Sequence, residues 1–569
     1  MTDQAQDNQN NPHLLRDLLL LTLVFGALFF SFLGNRPLAA PDEGRYTEIP
    51  REMAESGDYI TPRLNGLKYF EKPPLLYWVQ TAPIKLFGVK EWAMRLPLAI
   101  LALLGCLMTY FFTQRLYSRQ VGLWAAGILG SSLLYNVLAR ILILDMGVSI
   151  FLSGTLFSFV TATEEERPLK RRLWMYLAAS FAAAAVLSKG LIGLALPGLI
   201  AVIWLTLTKR WALLKWLYLP SSIGVFFLLA APWHILASLK NPGFFDFYFI
   251  HEHFERYLTT VHRRHQPIWF FIPVTLLGLL PWPSFLINTL RVFVPKTLFG
   301  QRSPKAFFFF LWATIPFIFF SISNSKLIPY ILPIFPAIAV MMAFTIVEHL
   351  KNNHSFKLEI FGHSALCLIL IGGLTFALMT KLDPDLKVLL RTHLIILYSV
   401  LGFSAAFLPI LRLWKGPRPA LFGILLSGIA IVMVIVQASP LVPRLSIKPL
   451  AERFLKYMPE DTQVFTYIGY YQDLPPYLGR TVQVVHWHGE LKFGTEAEPE
   501  QTQVVDYEYF NKAWKSSRSV CAFMRQDRYN NLIAHAWFTP TILGEHDGQV
   551  LACNRVPKDV LAKVSSLKN

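Results

Sequence analysis

The chain has 569 residues, of which 54% are hydrophobic and 16% charged, with a mean hydropathy of +0.42. That composition excludes a water-soluble globular protein of this size, and apolar runs of about 18 residues read as membrane-crossing helices. The net charge of +17 fits basic cytoplasmic loops against anionic lipid; no zinc-finger or RRM-type signature points to nucleic acid, so none is expected as a partner.

In chain order, apolar runs fall near 17–34, 94–113, 121–138, 142–162, 173–188, 190–207, 214–237, 267–290, 305–321, 328–347, 358–380, 391–411 and 419–438. They predict an α-helical polytopic membrane protein of about thirteen spans, with 173–207 open to the alternative of a re-entrant pair. Basic clusters at 114–119, 167–172, 209–210, 291–305, 349–357 and 412–418 alternate sides in one assignment: N-terminus in the cytoplasm, C-terminus outside. The first run is long and further spans follow, so it is not a cleaved signal. The expected domains are a membrane part, 1–438, with a first outer loop at 39–93 containing amphipathic helices, and a soluble α/β tail, 439–569, in which Val464–Ile468 and Val482–Val485 read as strands.

The 39–93 loop is dense in carboxylates and bases and carries four tyrosines, an expensive composition beside a bilayer unless the groups are hydrated, paired or used. Asp42 follows Pro41 where a helix can open, so it reads either as a helix-start residue or as a reactive carboxylate. Asp145 sits in the apolar stretch Ile141–Met146, and an acid at the edge of a span is a functional candidate. The topology puts both acids at the outer face, where two carboxylates can position an acceptor and stabilise positive charge developing on a sugar. Arg45, Lys72, Lys189, Arg256 and Lys326 share that face. Singly they read as interface residues, and together they suit a lipid-linked phosphate. The 239–266 loop holds His251, His253, His262 and His265 without an established metal spacing, so solvated histidines and a divalent ion shared with Glu71 both stay open. Cys106 and Cys367 fall in apolar runs; Cys521 and Cys553 lie in the outer tail, where a disulfide between them is one of two even alternatives.

Longer patterns carry a resemblance. They are Pro41-Asp42-Glu43-x-Arg45-Tyr46, Arg51-Glu52-Met53-x-Glu55-Ser56-Gly57-Asp58, Leu64-Asn65-Gly66-x-x-Tyr69-Phe70-Glu71-Lys72-Pro73-Pro74, Ala139-Arg140 with Asp145-Met146, Ser188-Lys189-Gly190, Ser325-Lys326-Leu327-x-Pro329-Tyr330 and Tyr471-Gln472-Asp473-Leu474-Pro475-Pro476-Tyr477. The chain resembles, over nearly its whole length, the bacterial family that transfers 4-amino-4-deoxy-L-arabinose (aminoarabinose) to lipid A, relatives of protein O-mannosyltransferases with the GT-C architecture. Gly44 departs from the family pattern, where a Thr or similar residue is expected, and is read as loosening the loop.

The resemblance implies a multi-pass inner-membrane glycosyltransferase with a periplasmic active site and C-terminal domain. The sugar leaves undecaprenyl phosphate for a lipid A phosphate with inversion, masking negative charge and giving resistance to polymyxin and other cationic peptides. It implies Asp42 and Asp145 as catalytic acids, Lys72, Lys189 and Arg256 as donor-phosphate ligands, and Arg45, Tyr46, Tyr69, Glu43, Lys326 and Tyr330 as pocket residues. Glu71 and His251 match positions of a divalent ion, zinc or similar, in a structural role; no organic cofactor is expected, and a monomer is. Alternatives are a same-fold enzyme moving hexosamine or galacturonic acid, one mannosylating protein, and a lipid transporter or flippase. The last predicts internal repeats and a midplane path rather than charges gathered at one face.

Overall fold

The computed structural model describes residues 12–255, 266–298, 303–441, 446–535, 540–557 and 560, and for 251–255, 294–298 and 535 the backbone alone. The chain divides into two compact units: a helical one of 1–33, 95–235 and 248–441, and a mixed one of 34–94, 236–247 and 442–569.

In the helical unit every expected apolar run falls on helix, yet the spans are unequal. Among the described residues eight helices are long and apolar enough to cross a bilayer, or nine if Phe271–Gly278 and Pro283–Phe293, bent by 109°, form one span. Leu14–Phe30 and Ile192–Thr208 have 17 residues each, and the run at 121–138 is broken between Arg119–Ser131 and Leu133–Leu138. The thirteen expected runs thus give fewer full-length spans, because apolarity marks burial in protein as readily as contact with lipid. Helices Asp145–Glu164 and Ile328–Lys351 are largely enclosed. Pro384–Lys415 and Lys357–Thr380 instead present outward apolar side chains such as Val388 and Met379. Broad apolar surface of this kind requires a lipid surround. The first helix also carries Asp17, 1% exposed, held by Arg119 Nε (2.5 Å) and the Tyr110 hydroxyl (2.6 Å). A carboxylate inside a span is tolerable only when so paired.

The mixed unit redraws the expected boundary. The 39–93 loop, read as part of the membrane domain, instead shares a compact body with the tail. Its first helix, Asp42–Ser56, is buried along most of its length rather than lying amphipathic at an interface. The helix ends at Gly57, whose φ of +73° and N–H bond to Met53 form a left-handed cap. A small hairpin follows: β1 (Arg63–Leu64) and β2 (Leu67–Lys68), joined by Asn65 (φ +55°) and Gly66 (φ +81°). Two positive φ values define the tight turn that Asn-Gly favours. The Asn65 amide donates to Val482 O and its Oδ1 accepts from Val482 N, both at 2.8 Å, while Gly66 N donates to the Glu52 carboxylate. Arg63 forks onto Glu498 with two 2.9 Å bonds.

The tail is an α/β layer. Strands β3 (Gln463–Tyr467), β4 (Gln483–Val485), β5 (Val504–Val505), β6 (Val520–Arg525), β7 (Thr541–His546) and β8 (Gln549–Cys553) form one sheet in the order β5-β4-β3-β6-β8-β7. β3 pairs parallel with β4 and β6; β8 runs antiparallel to β6 and β7. Strands β6 and β8 are buried on both faces, as strands in the middle of a covered sheet are. Cys521 and Cys553 face one another in the β6/β8 register and are bonded as a disulfide; Cys106 and Cys367 are free and buried.

Candidate active site

Two clusters hold the acids and bases singled out above, one in each unit. The first is built on helix Asp42–Ser56. The cap is Pro41 and Asp42 makes no capping bond, so the helix-start role passes to Glu43. Glu43 accepts from Ala39 N (2.8 Å) and takes a two-pronged contact from Arg36. It is fully buried and acts as the clasp of the loop, not as a pocket wall. Asp42 is thereby free of structural duty: its carboxylate is 51% exposed and meets only Arg45 Nη1, at 3.1 Å, among the contacts of the described residues.

Arg45 leans the other way onto Glu490, Nε to Oε2 2.5 Å, and Glu490 is fixed by the Gln472 amide at 2.5 Å. Burial opposes charge on Arg45, but Tyr69, Glu490, Tyr46 and Asp42 outweigh it and hold the guanidinium firmly protonated. Burial pushes the Glu490 carboxyl above its ordinary range, with Arg45 pulling the other way. The hydroxyls of Tyr69 and Tyr77 are buried and have no hydrogen-bond partner among the described residues. Burial raises both phenols well above 10, so they are proton donors awaiting an acceptor. Glu71 adds negative charge near both phenols and Glu490, while Lys72 Nζ donates to Glu71 O at 2.6 Å. The cluster therefore offers a half-free carboxylate, a fixed cation and two unspent hydroxyl donors, a set suited to a polyhydroxylated, charged ligand.

Gly44 explains its own departure from pattern. A Cβ there would stand 2.4 Å from Asp473 N and from the Gln472 carbonyl carbon. The glycine tightens rather than loosens this loop: it admits the 472–473 backbone against the helix. That segment leaves the carboxyl end of β3, the side on which open α/β sheets carry their sites. Asp473 is fully buried; Ser446 Oγ and Ile447 N both donate to its Oδ2 at 2.9 Å. Burial outweighs those bonds and pushes the carboxyl up to about 6.

The second cluster belongs to the helical unit. Asp145 opens helix Asp145–Glu164 and Lys189 closes helix Pro168–Lys189, each at the end its charge favours. The two side chains form an ion pair, and Lys189 Nζ lies 4.7 Å above the Tyr330 ring. Lys326 stands apart from this pair, its ammonium donating to Ser323 O (2.6 Å) and Gln266 O (2.9 Å). Arg256 lies outside the described residues; His251 falls where only backbone is described, within Asp246–Glu255. Glu490, Gln472, Tyr77 and Asp473 were not singled out individually from sequence. Gln472 and Asp473 lie in a quoted motif and Tyr77 three residues past another, whereas Glu490 sits in an ordinary polar stretch that gives no local signal.

With this geometry in hand, relatives can be weighed. Residues 18–248 match the family model described as dolichyl-phosphate-mannose-protein mannosyltransferase, and 450–552 match the aminoarabinose transferase C-terminal domain. The undecaprenyl phosphate-alpha-4-amino-4-deoxy-L-arabinose arabinosyl transferase 1 of Proteus mirabilis is 30% identical over 495 residues, covering 84% of this chain and 86% of the relative. The chain belongs to the aminoarabinose transferase family. Similarly named proteins of Aeromonas hydrophila and Aeromonas salmonicida are each 34% identical, the match covering 62% and 58% of this chain and 65% and 60% of theirs. The crystal structure of ArnT from Cupriavidus metallidurans bound to undecaprenyl phosphate has a TM-score of 0.83 at 28% identity, covering 94% of this chain and 98% of that one. The fold is thus that of a multi-pass membrane aminoarabinose transferase with a C-terminal sheet domain.

Proposed function

We propose that the chain transfers 4-amino-4-deoxy-L-arabinose from undecaprenyl phosphate to a phosphate of lipid A at the periplasmic face of the inner membrane, with the N-terminus cytoplasmic. The observation that carries this is the Asp42–Arg45–Glu490 arrangement, with its unspent Tyr69 and Tyr77 hydroxyls, in a chain whose fold matches the undecaprenyl-phosphate-bound relative.

The chemistry is a displacement at the anomeric carbon. An oxygen of the acceptor phosphate forms the new bond as the glycosidic bond to the polyprenyl phosphate breaks; the bonding pair leaves on that phosphate and configuration inverts. The nucleophile is already anionic and needs no strong base. Asp42, half free, orients the acceptor or holds the amino group of the sugar. Arg45, Tyr46, Tyr69 and Tyr77 frame the polar pocket. Lys72, Lys189 and Arg256 take the phosphate charge that grows as the bond breaks, which lowers the barrier electrostatically. Asp145 pairs with Lys189 and holds it aimed. A divalent ion at Glu71 and His251 remains part of the proposal, in a structural role. Glu71 supplies a carboxylate, the His251 side chain is outside what is described, and no step is routed through the ion. Adding a cationic sugar lowers the negative charge of the envelope and so its attraction for polymyxin.

Lipid A mass spectrometry tests the proposal in a host that makes the donor and lacks its own transferase. A gain of one aminopentose with the native chain, absent with Asp42→Asn, is expected. Inserted protein without that gain would overturn the sugar assignment, and a mass gain of hexosamine or uronic acid would replace it.

A further inference from the structure

The turn between helices Phe335–Lys351 and Lys357–Thr380 gathers three ligand-type side chains that play no part in the transfer chemistry. His349, His354 and Glu359 bring one ligating atom each to within 4.8 Å of one another. His349 lies in the last turn of one helix and His354 just past its end; Glu359 sits in the first turn of the next. This cluster is at the far end of helix Phe335–Lys351 from Tyr330, and 17 helical residues span roughly 25 Å.

Two details point to an ion rather than to chance proximity. Glu359 is 1% exposed, and its Oε2 has no hydrogen-bond partner among the described residues. An ionised carboxylate buried with one oxygen unsatisfied is costly unless a cation is supplied. Its other oxygen accepts from the Asn288 amide at 2.5 Å, and the same Nδ2 lies 3.2 Å from His349 Nδ1. Asn288 therefore fixes two of the three ligands, as the outer partners of metal ligands do. The His354 ring nitrogen Nδ1 accepts from Phe356 N at 3.1 Å, which makes it the unprotonated nitrogen, the form a metal requires. His349 Nδ1, facing an amide N–H, is in the same state. Both contacts are long and cheap to exchange for coordination. The rings lie with centroids 4.3 Å apart, and His354 N donates to His349 O at 2.8 Å, so the backbone already holds them side by side. His354 is exposed and Glu359 buried, which gives an ion a route in and an anchor at the bottom.

We propose that His349, His354 and Glu359 form a divalent transition-metal site of the zinc type, with Asn288 as its outer support and a fourth position left to water. Two imidazoles and one carboxylate are a standard donor set for such ions, and the hard cations magnesium and calcium favour all-oxygen sites. Bound metal clamps the turn joining two spans and acts on stability rather than on sugar transfer.

The test uses purified full-length protein in detergent, stripped with chelator, in a Glu71→Gln background that removes the other proposed metal ligand. Cobalt(II) is titrated and its visible d–d absorption read, with zinc as competitor. One equivalent of cobalt, displaced by zinc, and a metal-dependent rise in unfolding temperature are expected. His354→Ala, a change at an exposed ring, and Glu359→Gln, which keeps the bond to Asn288, should each lose that equivalent and that rise. Equal cobalt stoichiometry in His354→Ala and its parent, or none in the parent, would overturn the site.

Discussion

The Asp42 cluster and the Asp145 cluster answer the same problem, a carboxylate beside cations, in opposite ways. Asp145 is spent: it pairs with Lys189, which also rests on the Tyr330 ring, so the acid and base largely neutralise each other. Asp42 is half exposed, and its one cation among the described residues, Arg45, is held from the other side by Glu490. A carboxylate whose partner is already satisfied can turn to a ligand at little cost, whereas breaking a tight pair leaves an uncompensated charge. On the proposed function, this contrast favours Asp42 among the reacting groups and Asp145 as the support of Lys189.

The largest effect should come from the less encumbered acid. Asp42→Asn is expected to lower kcat by about 10³-fold or more, roughly 4 kcal/mol of barrier, with the protein still inserted and folded because the Glu43 clasp is untouched. Near-native turnover in that variant, measured with purified donor and lipid A, would reverse the contrast. Removing one member of the pair comes next. Lys189→Met and Asp145→Asn should each cost about 10²-fold in activity, and the double variant much less than the product of the two, since each single change strands the other charge. Fully additive losses would mean that Asp145 acts on the ligand in its own right.

The reach of sequence over these two regions differed as well. The acids and most cations were legible because charge in an apolar chain is conspicuous: Asp145, Lys189 and Tyr330 come from three separated segments and do meet. What escaped was division of labour. Glu43, Asn65 and Glu52 sit in the same dense motif as Asp42, yet they clasp the loop and its hairpin. Local pattern cannot tell a charged group that holds a fold from one that waits for a ligand. Glu490 and Glu498 lie more than 430 residues from Arg45 and Arg63, and the Gly44 contact with 472–473 is similarly remote. Chain continuity groups 39–93 with the membrane part, while the polar partners of that loop are in the tail. Span count suffered from the ambiguity of apolar runs, and the helical type of each run did not.

A third prediction exploits the buried acid beside Gly44. Asp473 titrates at about 6 in the folded protein against about 4 in an unfolded chain, so the fold prefers its protonated form. Stability from this group is complete below pH 4 and is lost as pH rises through about 6, by roughly 3 kcal/mol in all. Glu52 and Glu490 are shifted in the same direction, and Asp58 and Glu498 in the opposite one, so only a difference isolates Asp473. In detergent, the gap in unfolding temperature between native protein and Asp473→Asn should change in favour of the variant from pH 4 to pH 7. A gap that does not vary with pH would remove Asp473 as the source.

The smallest expected effect tests whether the loop is held by the tail through ion pairing or through shape. Arg63 is 29% and Glu498 10% exposed, and the bidentate geometry is favourable, but both belong to a partly hydrated rim. Arg63→Ala should cost about 1–2 kcal/mol of stability, more than an ordinary surface pair, because Glu498 keeps only Lys68 Nζ, 3.6 Å away, and the weak Lys68 N–H bond. Glu498→Gln should cost about half as much, since an amide oxygen can still accept from Arg63. The Asn65–Val482 exchange is neutral and insensitive to salt, so raising ionic strength should erase most of the Arg63→Ala effect while leaving that of Asn65→Ala unchanged. If both variants respond to salt alike, charge rather than the hairpin turn is what keeps Asp42 and Arg45 at the head of their helix.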